Sequence, residues 1–121
     1  MLIHVWAEFP PARMMLPWLQ ELSQRLEGRP DVALLTISVD DNPGVVEPIF
    51  RDNGYTFPVV FAHDYIRKLW GKEPSLPCTW IVDRQGVVRR EDLGYGGDRS
   101  AWLDSALRGI EQVGTEPPSE P

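Results

Sequence analysis

Sulfur is the scarcest chemistry in this chain. One cysteine, Cys78, stands among 121 residues, so no internal disulfide can close and the redox compartment is left open. Histidine is nearly as rare. His4 and His63 lie far apart and near no ligand-type cluster, so no metal is expected, and no motif calls for a cofactor. Positive charge is in the minority: twelve Lys and Arg against eighteen Asp and Glu leave a net charge of −6. Spread along the chain, that excess repels phosphate backbones, argues against nucleic acid as a partner and favours solubility. No apolar run approaches the roughly 20 residues a membrane helix needs, so no membrane segment is expected. The opening Leu2-Ile3-His4-Val5-Trp6 has no basic region before it and no small-residue cleavage site after it. It is not an export signal, and the default compartment is the cytoplasm. Internal repeats are absent.

What is present suits one domain. Hydrophobic residues make up 42% of the sequence and include five tryptophans, enough for a single core. Leu2 to Ala7 is a β-branched and aromatic run that reads as a buried strand. Pro10-Pro11 opens a helix whose apolar face is Met15, Trp18, Leu19, Leu22 and Leu26, with Gly28 and Pro30 as its stop. That stripe is core rather than a cofactor box, and Pro17 within it predicts a kink. Val32 to Val39 is a second, central strand. Asp40-Asp41-Asn42-Pro43 predicts a capped helix start, with Val46, Ile49 and Phe50 as the apolar face and Asn53-Gly54 as the end. Pro48 makes that helix short or kinked.

The remaining elements are a strand at Phe57 to Phe61, a short helix at Tyr65 to Trp70 and a strand at Cys78 to Val82. The turn Asp83-Arg84-Gln85-Gly86 leads into a hairpin strand at Val87 to Arg90. Asp98 caps a last helix with Leu103, Ala106, Leu107 and Ile110 on one face. Residues 1–113 form the predicted domain, and the proline-rich acidic stretch 114–121 a disordered tail. The order β-α-β-α-β-α-β-β-α predicts an α/β fold, a mixed sheet with helices on both faces.

Three segments carry a family likeness. The first is Val5-Trp6-Ala7-Glu8-Phe9-Pro10-Pro11-Ala12-Arg13, with Pro17 five residues beyond Ala12. The second is Leu76-Pro77-Cys78-Thr79-Trp80-Ile81-Val82 followed by Asp83-Arg84-Gln85-Gly86. The third is Ser38-Val39-Asp40-Asp41, taken with Asn53-Gly54-Tyr55-Thr56-Phe57-Pro58-Val59. In this order and at these spacings they resemble the thioredoxin superfamily, and most of all its TlpA-type, redoxin-related thiol–disulfide oxidoreductases. The resemblance runs from about Leu2 to Ile110. It implies a thioredoxin-like fold and a cis peptide bond at Pro77. Relatives carry Cys-Pro-Pro-Cys at the first segment. The proline spacing puts Ala12 on the second cysteine position and Phe9 on the first, with one residue fewer before the motif. Alternatively, a gap removes the first cysteine and Phe9 replaces the aromatic that precedes it. The sequence departs from the family in a longer loop at Lys72 to Ser75, in Pro48, and in the hairpin expected before the first strand. Relatives are often periplasmic or membrane-anchored.

Dithiol exchange needs an attacking thiolate at a helix amino terminus and a resolving thiol beside it. Phe9 and Ala12 supply neither. Cys78 is the remaining candidate thiol, and the resemblance puts it after the cis-proline, near the missing pair. It reads either as a lone reactive thiol or as a small buried residue opening a strand. The absence of Lys, Arg or His beside it favours burial. Trp6, Phe9, Pro10, Pro11, Leu76 and Pro77 form a candidate apolar surface for an extended protein or peptide segment, as in relatives; the competing reading makes Trp6 core and the prolines a helix start. Glu8 reads as a solvated charge, Asp40-Asp41 as helix capping, and His63-Asp64 as a helix start rather than a dyad. Three functions follow: a degenerate domain that binds a partner, a single-cysteine oxidoreductase or peroxidase built on Cys78, or one domain of a larger thioredoxin-family protein. Oligomeric state is not legible.

Overall fold

A computed structural model of the chain describes residues 1–40, 42–70, 76–93 and 98–115. Strand β1 (Leu2–Trp6) leads through a 3₁₀ turn (Ala12–Met15) into α1 (Leu16–Arg25). Then come β2 (Leu34–Ser38), a second 3₁₀ turn (Pro43–Val45), α2 (Val46–Asn53) and β3 (Val59–Phe61). The chain continues through α3 (His63–Trp70), β4 (Cys78–Val82), β5 (Val88–Leu93) and α4 (Arg99–Thr115). One sheet holds all the strands in the order β3-β2-β1-β4-β5. β1, β2 and β3 are parallel, as crossover helices require, and β4 runs antiparallel to both β1 and β5.

Alternation along β1 sorts the core. Leu2 packs with Leu22, Ile81, Leu103 and Ile110. Trp6, on the same side, packs with Ala12, Leu16, Leu19, Val46 and Phe57. That face therefore carries α1, α2 and α4. Val5 and Ala7 point the other way, into a smaller cluster with Val39, Ile66 of α3 and Cys78. Helices thus flank both faces, as expected.

The prolines fall where they are tolerated. Pro17 is the second residue of α1 and Pro48 the third of α2, because a 3₁₀ turn precedes each helix. In the first turn a missing N–H leaves no bond unmade, so the kink expected at Pro17 gives way to a late helix start. Asn42 caps the second 3₁₀ turn, its Oδ1 accepting from Gly44 N at 3.0 Å. Gly54 ends α2 with φ +69°, a left-handed conformation that suits glycine. β3 is shorter than expected: Pro58 has no N–H for the ladder, although its carbonyl accepts from the Thr36 N–H and hydroxyl at 3.1 and 2.7 Å. Gly109 lets α4 lie close on β4. A Cβ there would stand 2.5 Å from Ile81 Cδ1 and 2.9 Å from Arg90 Nη1.

At the far end, Asp98 Oδ1 accepts from Ser100 N at 3.0 Å, the cap the sequence predicts for α4. The helix runs to Thr115, two residues past the expected boundary, and the rest of the predicted tail lies outside the described residues. So do Asp41 and the Lys72–Ser75 loop.

Candidate functional site

The segment between β1 and α1 leaves the sheet at its carboxyl edge and turns at once. Phe9 O accepts from Arg13 N at 3.1 Å, and Pro11 O from Met14 N at 3.0 Å. The Pro10–Pro11 bond is cis, and so is Leu76–Pro77, as the resemblance implies. Asp40, at the end of the neighbouring β2, anchors the turn. Its Oδ1 accepts from Glu8 N at 3.1 Å and its Oδ2 from Ser38 Oγ at 2.7 Å. The helix cap expected of Asp40 is thus replaced by a long-range tie between β2 and this turn. Glu8 meets Arg13 at 3.9 Å, a partly exposed pair of small energetic weight.

The candidate patch divides. Phe9 is 54% exposed, and Pro10 and Pro11 are exposed beside it. Leu76 is half-buried, packing against the clusters on both faces. Trp6 does not belong to the surface: it is fully buried and stacks on Phe50 at 6.1 Å. Alternation puts it on the inward side of β1, beneath α1. Pro77 and Ala12 are also buried. One exposed apolar residue missing from the sequence reading joins the surface. Met14, 52% exposed, sits in the 3₁₀ turn outside the helical stripe that marks the core.

Cys78 is fully buried. It stands opposite Val5 in the β1–β4 ladder, so its thiol lies among Val5, Ala7, Val39 and Ile66 on the α3 side of the sheet. Ala12 belongs to the cluster on the α1 side. Strand parity thus turns the Cys78 thiol toward α3, away from the side of the sheet on which Ala12 packs. Burial first, and then the negative charges of Glu91 and Asp92, push the thiol up to about 12. At neutral pH it is a protonated core side chain with no cationic activator among the described residues.

His4 is the buried polar group nearest this region in β1. Its Nδ1 lies 2.8 Å from Thr79 Oγ1, and the ring of Trp102 of α4 stands nearly perpendicular to it, with the centroids 6.0 Å apart. Nε2 has no hydrogen-bond partner among the described residues. Burial alone pushes the imidazole down to about 3, so it is neutral in the folded protein. His63 opens α3 and meets Asp64 Oδ1 at 2.9 Å, with no nucleophile hydrogen-bonded to it among the described residues. Among those residues, too, no three His, Cys, Asp or Glu side chains cluster to hold a metal, and no helix is long and apolar enough to cross a membrane.

No protein-family model matches the sequence, and no curated protein matches it. Solved structures do. StoA from Bacillus subtilis aligns over 87% of this chain and 80% of its own, at 20% identity and a TM-score of 0.70. A putative thiol:disulfide interchange protein DsbE from Chlorobium tepidum aligns over 90% and 78%, at 20% identity and a TM-score of 0.72. A thioredoxin-like protein from Porphyromonas gingivalis aligns over 96% and 78%, at 24% identity and a TM-score of 0.68. The chain has a thioredoxin-like fold, shared with thiol–disulfide oxidoreductases.

Proposed function

We propose that this chain is a thioredoxin-fold domain that has lost dithiol chemistry and holds an extended protein or peptide segment where the cysteine pair of its relatives would lie. One contrast carries the reading: the lone thiol, Cys78, is sealed in the core on the α3 side, while Phe9 stands exposed at the turn into α1. Fold alone does not decide function, so the weight falls on these side chains. Phe9, Pro10 and Pro11, with Met14 and the partly covered Leu76, offer an apolar surface with a pre-bent backbone. Rigid proline and aromatic groups lose little entropy on binding, which suits recognition of an extended chain. Asp40 and the Glu8 N–H fix that surface to the sheet. The single-cysteine oxidoreductase gains no support from a thiol buried beside two carboxylates, since both features oppose the thiolate.

The test is a peptide array probed with wild type and Phe9→Ala. Because Phe9 is exposed, the variant keeps the fold. Burying the free half of a phenylalanine contributes on the order of 1–1.5 kcal/mol, so Phe9→Ala is expected to weaken capture of apolar peptides about tenfold. Capture unaffected by Phe9→Ala, or no capture of any peptide, refutes the reading.

A further inference from the structure

A concave feature opens at the carboxyl ends of β2 and β3. It is a cleft of about 480 Å³ between the turn at Pro43 and the start of α3. Its lining includes Pro43, Phe61, His63 and Tyr65, with two acidic residues: Asp64, and Asp40, whose two oxygens already accept from Glu8 N and Ser38 Oγ. The volume falls within the roughly 300–1,000 Å³ of small-ligand sites, and the carboxyl edge of a parallel sheet is where such sites form. Phe61 and Tyr65 are 44% and 65% exposed, so both aromatic walls are open to an occupant.

The electrostatics of the cleft have one sign. Among the described residues, no lysine or arginine lines it. Aromatic faces carry negative potential, and two carboxylates add to it. The amino end of α3 contributes about half a positive charge, which the two carboxylates outweigh. Asp64 meets His63 at 2.9 Å, yet its side chain is fully exposed and accessible to a second donor. The carboxylates oppose an anion, and a purely apolar group would cover the rings but leave the carboxylates without a partner. A planar cation uses all of it, stacking on a ring while donating to a carboxylate.

We propose that this cleft docks a basic side chain, arginine in preference to lysine, carried by a partner polypeptide. The net charge of −6 steers a basic partner toward the chain as a whole. Asp40 borders both this cleft and the turn that carries Phe9, but the two sites differ in chemistry and in the side chains that would meet an occupant.

The experiment is an amide NMR titration of the full chain with acetyl-Gly-Arg-Gly amide, its lysine counterpart and a neutral counterpart carrying norleucine. Saturable shifts centred on Ala62 to Ile66 are expected for the arginine peptide, weaker ones for lysine and none for norleucine. Tyr65→Ala and Asp64→Asn alter exposed side chains and keep the fold; each is expected to weaken arginine binding about twofold to fivefold. The proposal is overturned if norleucine shifts the same amides equally, if the arginine shifts fail to saturate or neither variant weakens them, or if they centre on Phe9 to Ala12. In the last case the apolar surface gains a ligand and this cleft loses its own.

Discussion

Acid stability tests the burial of His4. The imidazole is fully enclosed and pushed down to about 3, against an ordinary value near 6.5 in the unfolded chain. Above pH ~6.5 both states hold it neutral and its contribution is fully present. As pH falls, the unfolded chain takes up a proton that the folded protein refuses, so stability is lost progressively down to about 3. Each unit in that window amounts to about 1.4 kcal/mol, giving a loss of roughly 2 kcal/mol at pH 5 and of order 5 kcal/mol at pH 3. Urea unfolding followed by tryptophan fluorescence reads this directly, since Trp102 lies against His4. His4→Leu provides the control: carboxylate titrations are common to both proteins and cancel in the difference. Wild type is expected to lose about 2 kcal/mol more than His4→Leu between pH 7 and 5. Parallel pH dependences for the two proteins refute the reasoning.

Two further substitutions probe the framework around the site. Gly109→Ala gains about 1 kcal/mol of helix propensity, but its Cβ collides with Ile81 and Arg90, and overpacking costs roughly 1–3 kcal/mol. A net loss of about 1 kcal/mol is expected, with Gly109→Val worse; thermal unfolding of the two variants checks the order. Asp40→Ala removes the acceptor of two hydrogen bonds and is expected to destabilise the fold by about 2 kcal/mol and to speed amide exchange at Glu8. Unchanged exchange at Glu8 would show that the tie to β2 does not hold the turn.

Element order was legible because periodicity survives in a single sequence: the Met15-to-Leu26 stripe, the β-branched runs and the caps at Asn42 and Asp98 all fell where local chemistry put them. Positions that depend on a neighbour across the sheet were not. Asp40 looks like a cap until β2 lies beside β1 and brings the Glu8 N–H within reach. Cys78 looks adjacent to the site because Pro77 is, yet its pairing with Val5 turns the thiol to the opposite face. Trp6 follows Leu2 and His4 inward by simple alternation, while Phe9, past the end of the strand, escapes that constraint. The prolines misled for a related reason: Pro17 and Pro48 break a helix only if the helix begins before the 3₁₀ turns that precede them.

The central claim is that this thioredoxin-like fold carries no working thiol. Alkylation of native protein by iodoacetamide across a pH series, read by mass spectrometry with unfolded protein as reference, tests it most directly. With Cys78 fully buried and its thiol pushed up to about 12, the account predicts negligible labelling of folded protein at and below pH 8, and full labelling after unfolding. Rapid labelling of folded protein below pH 7 would contradict it and return the chain to the thiol enzymes.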